Sequence, residues 1–122
     1  MTHHVKSVRA FIGSKDFDLS RSFYKHLGFT EVTLGSTMSY FKITDTLGFY
    51  LQNAYVKQWV DNTMIFVEVE NVEQQYNDLL QLGLGEKYEG ARLEPIKYEA
   101  WGSECFLHDP AGVLWHFGAF TK

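Results

Sequence analysis

One apolar stripe occurs twice in this chain. Leu19, Phe23 and Leu27 stand at i, i+4 and i+8, and Val72, Tyr76 and Leu80 repeat the spacing 53 residues later. A glycine follows each stripe, Gly28 after the first and Gly83 after the second. Apolar residues at that spacing make one face of a helix, and a glycine just past the end closes it in the left-handed conformation. Self-similarity at a fixed offset marks a duplicated supersecondary unit. A unit of about 55 residues has too little interior to hold a core alone, so the two halves must share one.

The flanking segments repeat as well. Val5–Ile12 reads as a strand, with Val8, Ala10 and Ile12 on one parity and Gly13-Ser14 ending the run. Asp16 or Asp18 can cap the helix that starts near Phe17. Three strand-like runs follow, Phe29–Leu34, Met38–Thr44 and Leu47–Asn53, divided by Gly35-Ser36 and Thr44-Asp45-Thr46. In the second half, Thr63–Glu70 is rich in β-branched and aromatic residues. Asn71 caps the stripe of Val72, Tyr76, Leu79 and Leu80. Tyr88–Tyr98 is a weak strand broken by Gly90 and Pro95. Ser103–His108 and Val113–Phe117 flank Asp109-Pro110-Ala111-Gly112, a turn whose proline presets φ at its second place. Each half therefore reads as strand, helix, then three strands. The halves span residues 5–53 and 63–119 of a single domain, with a polar linker, residues 54–62, that carries Trp59.

Composition limits the function. The net charge is −4 and no basic run exists, so the footprint that neutralises nucleic-acid phosphates is missing. No stretch approaches the length of a membrane span, and the polar start Met1-Thr2-His3-His4 has no apolar leader. A single cysteine, Cys105, fits a reducing compartment. Cytoplasmic residence is expected. Aromatic residues make up 16% of the chain, an excess that suits a core or a pocket for a small molecule.

Two segments carry a family resemblance. Asp18-Leu19, Phe23-Tyr24 and Leu27-Gly28-Phe29 resemble the first helix of the glyoxalase, bleomycin-resistance and extradiol-dioxygenase (vicinal oxygen chelate) superfamily. Trp101-Gly102-x-Glu104-x-x-Leu107-x-Asp109-Pro110-Ala111-Gly112, ending near His116-Phe117, resembles the closing segment of bleomycin-resistance proteins. The resemblance implies an α+β fold of two βαβββ modules forming a bent mixed sheet with a cleft. It also implies a homodimer with ligand grooves at the interface, and Trp101 stacked on the planar part of a ligand. Ala10 stands where those proteins tend to carry proline in the first strand, and residues 33–38 align poorly.

Metal-dependent relatives take ligands from the first and last strands of each module. By resemblance those places fall on Arg9, Gln52 (with Tyr50 on the same parity), Met64 and His116. Arginine has no lone pair to donate, and Met is a soft, weak ligand. From Val5 to Ile12 there is no His, Glu, Asp or Cys. Neither a metal nor another cofactor is expected, and with the metal goes the usual way of polarising vicinal oxygens.

Several residues keep two readings. His116 is a ligand contact or base, or a satisfied histidine in a sheet. Arg9 holds a ligand anion, or pairs with Glu68 or Glu104. Trp101 stacks on a ligand or packs at a dimer seam. Trp59 covers the cleft or anchors the linker. Trp115, of opposite parity to His116, reads as core, and Cys105 as a small buried hydrophobe. Tyr40, Tyr50 and Phe66 alternate onto cleft faces, with core as the default. The expected function is metal-free binding of a small molecule, of which bleomycin-type glycopeptides are one class. The alternative is a glyoxalase-like enzyme (lyase, isomerase or dioxygenase type) acting on a small polar substrate. The residues to test as ligand contacts are Trp101, His116, Arg9, Tyr50, Gln52, Met64, Trp59 and Glu104.

Overall fold

The computed structural model describes residues 1–121. It contains two four-stranded mixed sheets with the same internal order. In the first half the elements are β1 (Phe11–Gly13), α1 (Phe17–Leu27), β2 (Thr30–Thr33), β3 (Met38–Lys42) and β4 (Gly48–Gln52). A short helix, α2 (Lys57–Asp61), leads to β5 (Met64–Glu68), α3 (Val72–Leu82), α4 (Leu84–Lys87), β6 (Arg92–Glu99), β7 (Gly102–His108) and β8 (Leu114–Phe120). The first sheet runs β1-β4-β3-β2 and the second β5-β8-β7-β6. In each, the first strand lies parallel to the last and the other pairs are antiparallel.

The helix signals act as expected. Asp16 accepts a hydrogen bond from the Leu19 N–H at 3.1 Å, and Asn71 accepts one from Gln74 at 2.9 Å. Gly28 and Gly83 close the two long helices at φ 108° and 62°, a region costly for any residue with a Cβ. In the second stripe Leu79 is buried and Leu80 is exposed, so the repeat slips by one residue at its end.

The first strand differs most from the sequence reading. Only residues 11–13 pair with β4, and residues 1–10 have no regular structure. Val5 is 64% and Val8 90% exposed, although their apolar pattern asks for cover. Trp59 sits on α2 and not in an extended linker. The weak strand read from Tyr88 begins only at Arg92, because residues 88–91 turn after α4, with the Ala91 N–H donating to the Tyr88 carbonyl at 3.1 Å.

Alternation divides the inner strands of both sheets. Ile12, Ser39, Phe41, Phe49 and Leu51 of the first sheet are buried, as are Cys105, Leu107, Trp115 and Phe117 of the second. These faces meet α1, α3 and α4 in one core. Its centre is aromatic: the Trp115 ring lies 5.6 Å from Tyr24, 5.3 Å from Phe49 and 5.7 Å from Phe29. Trp115 belongs to the second half and the other three to the first, so the halves do share one core.

A polar seam runs through that core. Trp115 Nε1 donates to Tyr24 Oη at 2.9 Å, and Tyr24 donates to Asp109 Oδ2 at 2.6 Å. Asp109 Oδ1 accepts from the N–H groups of Ala111, Gly112 and Val113. Burial drives the Tyr24 hydroxyl well above its ordinary pKa, so it stays a donor. Burial also pushes the Asp109 carboxyl up, and its hydrogen bonds hold it back. The turn read from Asp109-Pro110-Ala111-Gly112 is thus also the anchor between modules.

Candidate functional site

The opposite face of each sheet is open. Residues of one parity cover the core, and residues of the other have no helix over them. Both open faces are aromatic.

On the first sheet, Phe11 and Tyr50 stack with centroids 4.7 Å apart, and Tyr40 lies 5.2 Å from Tyr50. Arg9 joins them. Its Nη1 donates to Tyr50 Oη at 3.0 Å, and its guanidinium carbon sits 4.4 Å above the Tyr40 ring centroid. The hydrogen bond to Tyr50 raises the pKa of an already permanent cation. Gln52 shares this face and, with Phe11 and Trp59, lines a small cavity of about 110 Å³ beside α2. Trp59 is 73% exposed at its rim. A Cβ at Gly48 would collide with Tyr40 Oη, so a glycine is what lets the Tyr40 ring lie across the strand.

On the second sheet, Phe66, Trp101 and Phe120 form a triangle with centroid separations of 5.6 to 6.4 Å. Phe66 is 44% and Trp101 39% exposed. A glycine again makes room: a Cβ at Gly118 would lie 2.7 Å from the Phe66 ring. Met64 extends the apolar edge along β5.

Beside this triangle His116 Nδ1 is 2.8 Å from Glu104 Oε1, with both side chains largely covered. His116 therefore has a partner, which its isolation in the sequence conceals. The contact engages Nδ1 with the carboxylate and turns Nε2 away from Glu104. Phe106 packs against His116 at 4.9 Å, and a second pair, His108 and Glu94 at 2.7 Å, lies on the far side of Phe106. The hydrogen bond from His108 holds the Glu94 carboxyl below its usual range. His108 is thus part of the face.

The eight sequence candidates fall into two groups. Arg9, Tyr50, Gln52 and Trp59 adjoin the first open face. Trp101, His116, Glu104 and Met64 lie on the second. Arg9 pairs with neither Glu68 nor Glu104: it lies against Tyr40 and Tyr50 of the first sheet, whereas Glu68, Glu104 and His116 belong to the second. Among the described residues no hydrogen bond, ion pair or ring contact joins the two open faces. Tyr40, Tyr50 and Phe66 are on these faces and not in the core. Phe106 and Phe120 were missed by sequence reasoning, although the parity shared by Glu104 and Phe106, and by His116 and Phe120, is a signal for both.

The side chains do not fit a catalytic metal. Among the described residues no three His, Cys, Asp or Glu side chains group as an ion would require. Arg9, just ahead of β1, carries a fixed positive charge and has no lone pair to give an ion. Cys105 is buried, and desolvation pushes its thiol up to about 11, so it supplies no thiolate at neutral pH.

Two βαβββ units with aromatic open faces define the glyoxalase/bleomycin-resistance type of fold. Among solved structures, the chain is similar to the bleomycin-binding protein of bleomycin-producing Streptomyces verticillus, solved with copper(II)-bleomycin. The TM-score is 0.77 at 19% identity over 99% of this chain and 100% of that one. A structure of a bleomycin-binding protein solved with bleomycin gives 0.74 at 21% identity over 96% and 100%. A glyoxylase/bleomycin resistance protein/dioxygenase domain from a Frankia species gives 0.71 at 15% over 99% and 100%. The chain matches no protein-family model and no curated protein sequence.

Proposed function

We propose that this protein binds a small molecule without a catalytic metal, in a groove that two copies of the chain complete. The observation that carries the reading is the exposed triangle of Phe66, Trp101 and Phe120 beside the His116–Glu104 pair. Exposed rings side by side are unfavourable in water and offer a flat platform for a conjugated ligand. The pair adds an oriented polar contact beside the rings. Bleomycin-type glycopeptides are the first ligands to test, because two structures of this fold are bleomycin-binding proteins. The proposed action is stoichiometric sequestration in the cytoplasm. A thermal-shift titration with metal-free bleomycin tests it, since a ligand that binds only the folded state raises Tm. A saturable rise that Trp101→Ala abolishes supports the reading. No rise with bleomycin removes that ligand class.

The homodimer is supported by two features. Each sheet leaves an aromatic face without cover, and residues 1–10 carry Val5 and Val8 into solvent. A second copy would cover all three. Light scattering behind size exclusion decides it: a mass near 28 kDa, twice the 14.1 kDa of the chain, supports the dimer, and 14.1 kDa sinks it.

The His116–Glu104 geometry also favours a second reading, a metal-independent enzyme of the glyoxalase-like fold. An imidazole oriented by a carboxylate is the arrangement of a general base. Proton–deuterium exchange at carbon in small α-hydroxy ketones, lost in His116→Gln, would support it. Wild-type protein that exchanges no faster than buffer speaks against it.

A further inference from the structure

We propose that Arg9, held by Tyr40 and Tyr50 on the open face of the first sheet, recognises an anionic group on the ligand. The ligand is then a flat conjugated ring that bears a carboxylate, sulfonate or phosphate. This rests on the reading of the protein as a small-molecule binder whose groove two copies complete, with the first face forming part of that groove, and adds the charge this face takes.

Three observations carry it. The first is positioning. An arginine outside regular structure ordinarily samples many rotamers, yet this guanidinium has two tethers, the 3.0 Å hydrogen bond to Tyr50 Oη and the stack 4.4 Å over Tyr40. Tyr40 is itself laid across the strand by Gly48. The second is an unmet demand. Arg21 has Asp18 and Glu31 as ion-pair partners, whereas among the described residues no carboxylate lies within ion-pair distance of Arg9. Its hydrogen bond to Tyr50 uses one N–H, and a planar fork of donors remains for an oxyanion. The Tyr50 oxygen accepts from Arg9, so its own proton is available to the same anion. The third is the surrounding charge. The open-facing residues Phe11, Met38, Tyr40, Lys42, Tyr50 and Gln52 of β1, β3 and β4 include no acid, and the carboxylate at the edge, Asp45, lies 3.9 Å from Lys42, in a chain whose net charge is −4. The second open face instead presents Glu68, Glu94 and Glu104. The stacked rings of Phe11 and Tyr50 lie next to the guanidinium and supply the apolar contact for the ligand's ring.

The test uses two probes with one ring and opposite charge, 2-naphthoate and 2-naphthylmethylammonium. Binding is followed by calorimetry on the full chain. We expect naphthoate to bind about tenfold more tightly than the ammonium, as one charge-assisted contact implies. Arg9→Gln should erase that preference and Arg9→Lys should retain part of it. Arg9 is exposed, so the variants should keep the wild-type Tm and circular dichroism. Equal binding of the two probes, preference for the ammonium, or a preference that survives Arg9→Gln would each overturn the inference. The binder reading fails separately. If bleomycin or the ammonium binds in a Trp101-dependent manner that Arg9→Gln leaves unchanged, only the anion inference falls. If neither probe nor bleomycin binds, both fall.

Discussion

The two open faces share a scaffold and differ in chemistry. Strand order, parity and even the glycine beneath an aromatic ring, Gly48 under Tyr40 and Gly118 under Phe66, are the same in both halves. Yet one face carries an arginine over tyrosines, and the other carries two His–Glu pairs around a phenylalanine. The buried faces of the same strands behave differently. They meet in one core through Trp115 and the Tyr24–Asp109 seam, so a change on one side is felt on the other. A residue on an open face answers only to what lands on it. The frame is thus the same in both halves, while the exposed parity of the strands carries different chemistry in each.

That comparison can be broken at its base. Trp115→Ala removes the ring that joins both halves, and we expect a loss of about 3–5 kcal/mol in urea unfolding. If the loss is under about 1 kcal/mol, the halves do not depend on a common core. Tyr24→Phe is smaller in volume change but leaves the Trp115 N–H and one Asp109 oxygen without their partner, which costs about 1–3 kcal/mol. Asp109→Asn in the same background should then cost less than it does alone, because the two groups act as a unit.

Acid sharpens the contrast between buried and open charge. Partial burial pushes the Glu31 carboxyl up, but donation from Arg21 at 2.6 Å and Ser39 at 2.6 Å prevails and holds it below its ordinary value. A depressed folded value contributes stability above the unfolded pKa, and that contribution disappears as pH falls through the folded one. Thermal melts from pH 6 downward should lose about 1 kcal/mol more in wild type than in Glu31→Gln, with the difference confined to pH below about 4.5. An equal slope in both proteins would show that Glu31 carries no such linkage.

The smallest effect on folding belongs to the open faces. Trp101→Ala should change stability by less than about 1 kcal/mol, since much of the ring is in solvent and its neighbours Phe66 and Phe120 are exposed too. Its effect on ligand-linked stabilisation should be the largest of any substitution on that face. A Trp101→Ala protein that unfolds cooperatively at a much lower Tm would place this residue in the core and remove the distinction between the two parities.

Much of this was present in the order of residues. The repeated stripe, the capping residues Asp16 and Asn71, the two closing glycines and the Asp109–Gly112 turn are local signals, set by hydrogen bonds within a few residues. They specify elements without help from the rest of the chain. Strand parity then put Trp115 and Cys105 inside and His116 and Glu104 on the other face. What stayed hidden depends on long-range pairing. That His116 meets Glu104 follows from the register of β7 against β8, and that Arg9 meets tyrosines rather than Glu68 or Glu104 follows from the separation of the two sheets. The first strand shrank to three residues because residues 1–10 make almost no backbone pairs within the chain, whatever their alternation promises. Periodicity determines which side of an element is apolar. Only the assembled structure decides which surface, if any, that side will meet.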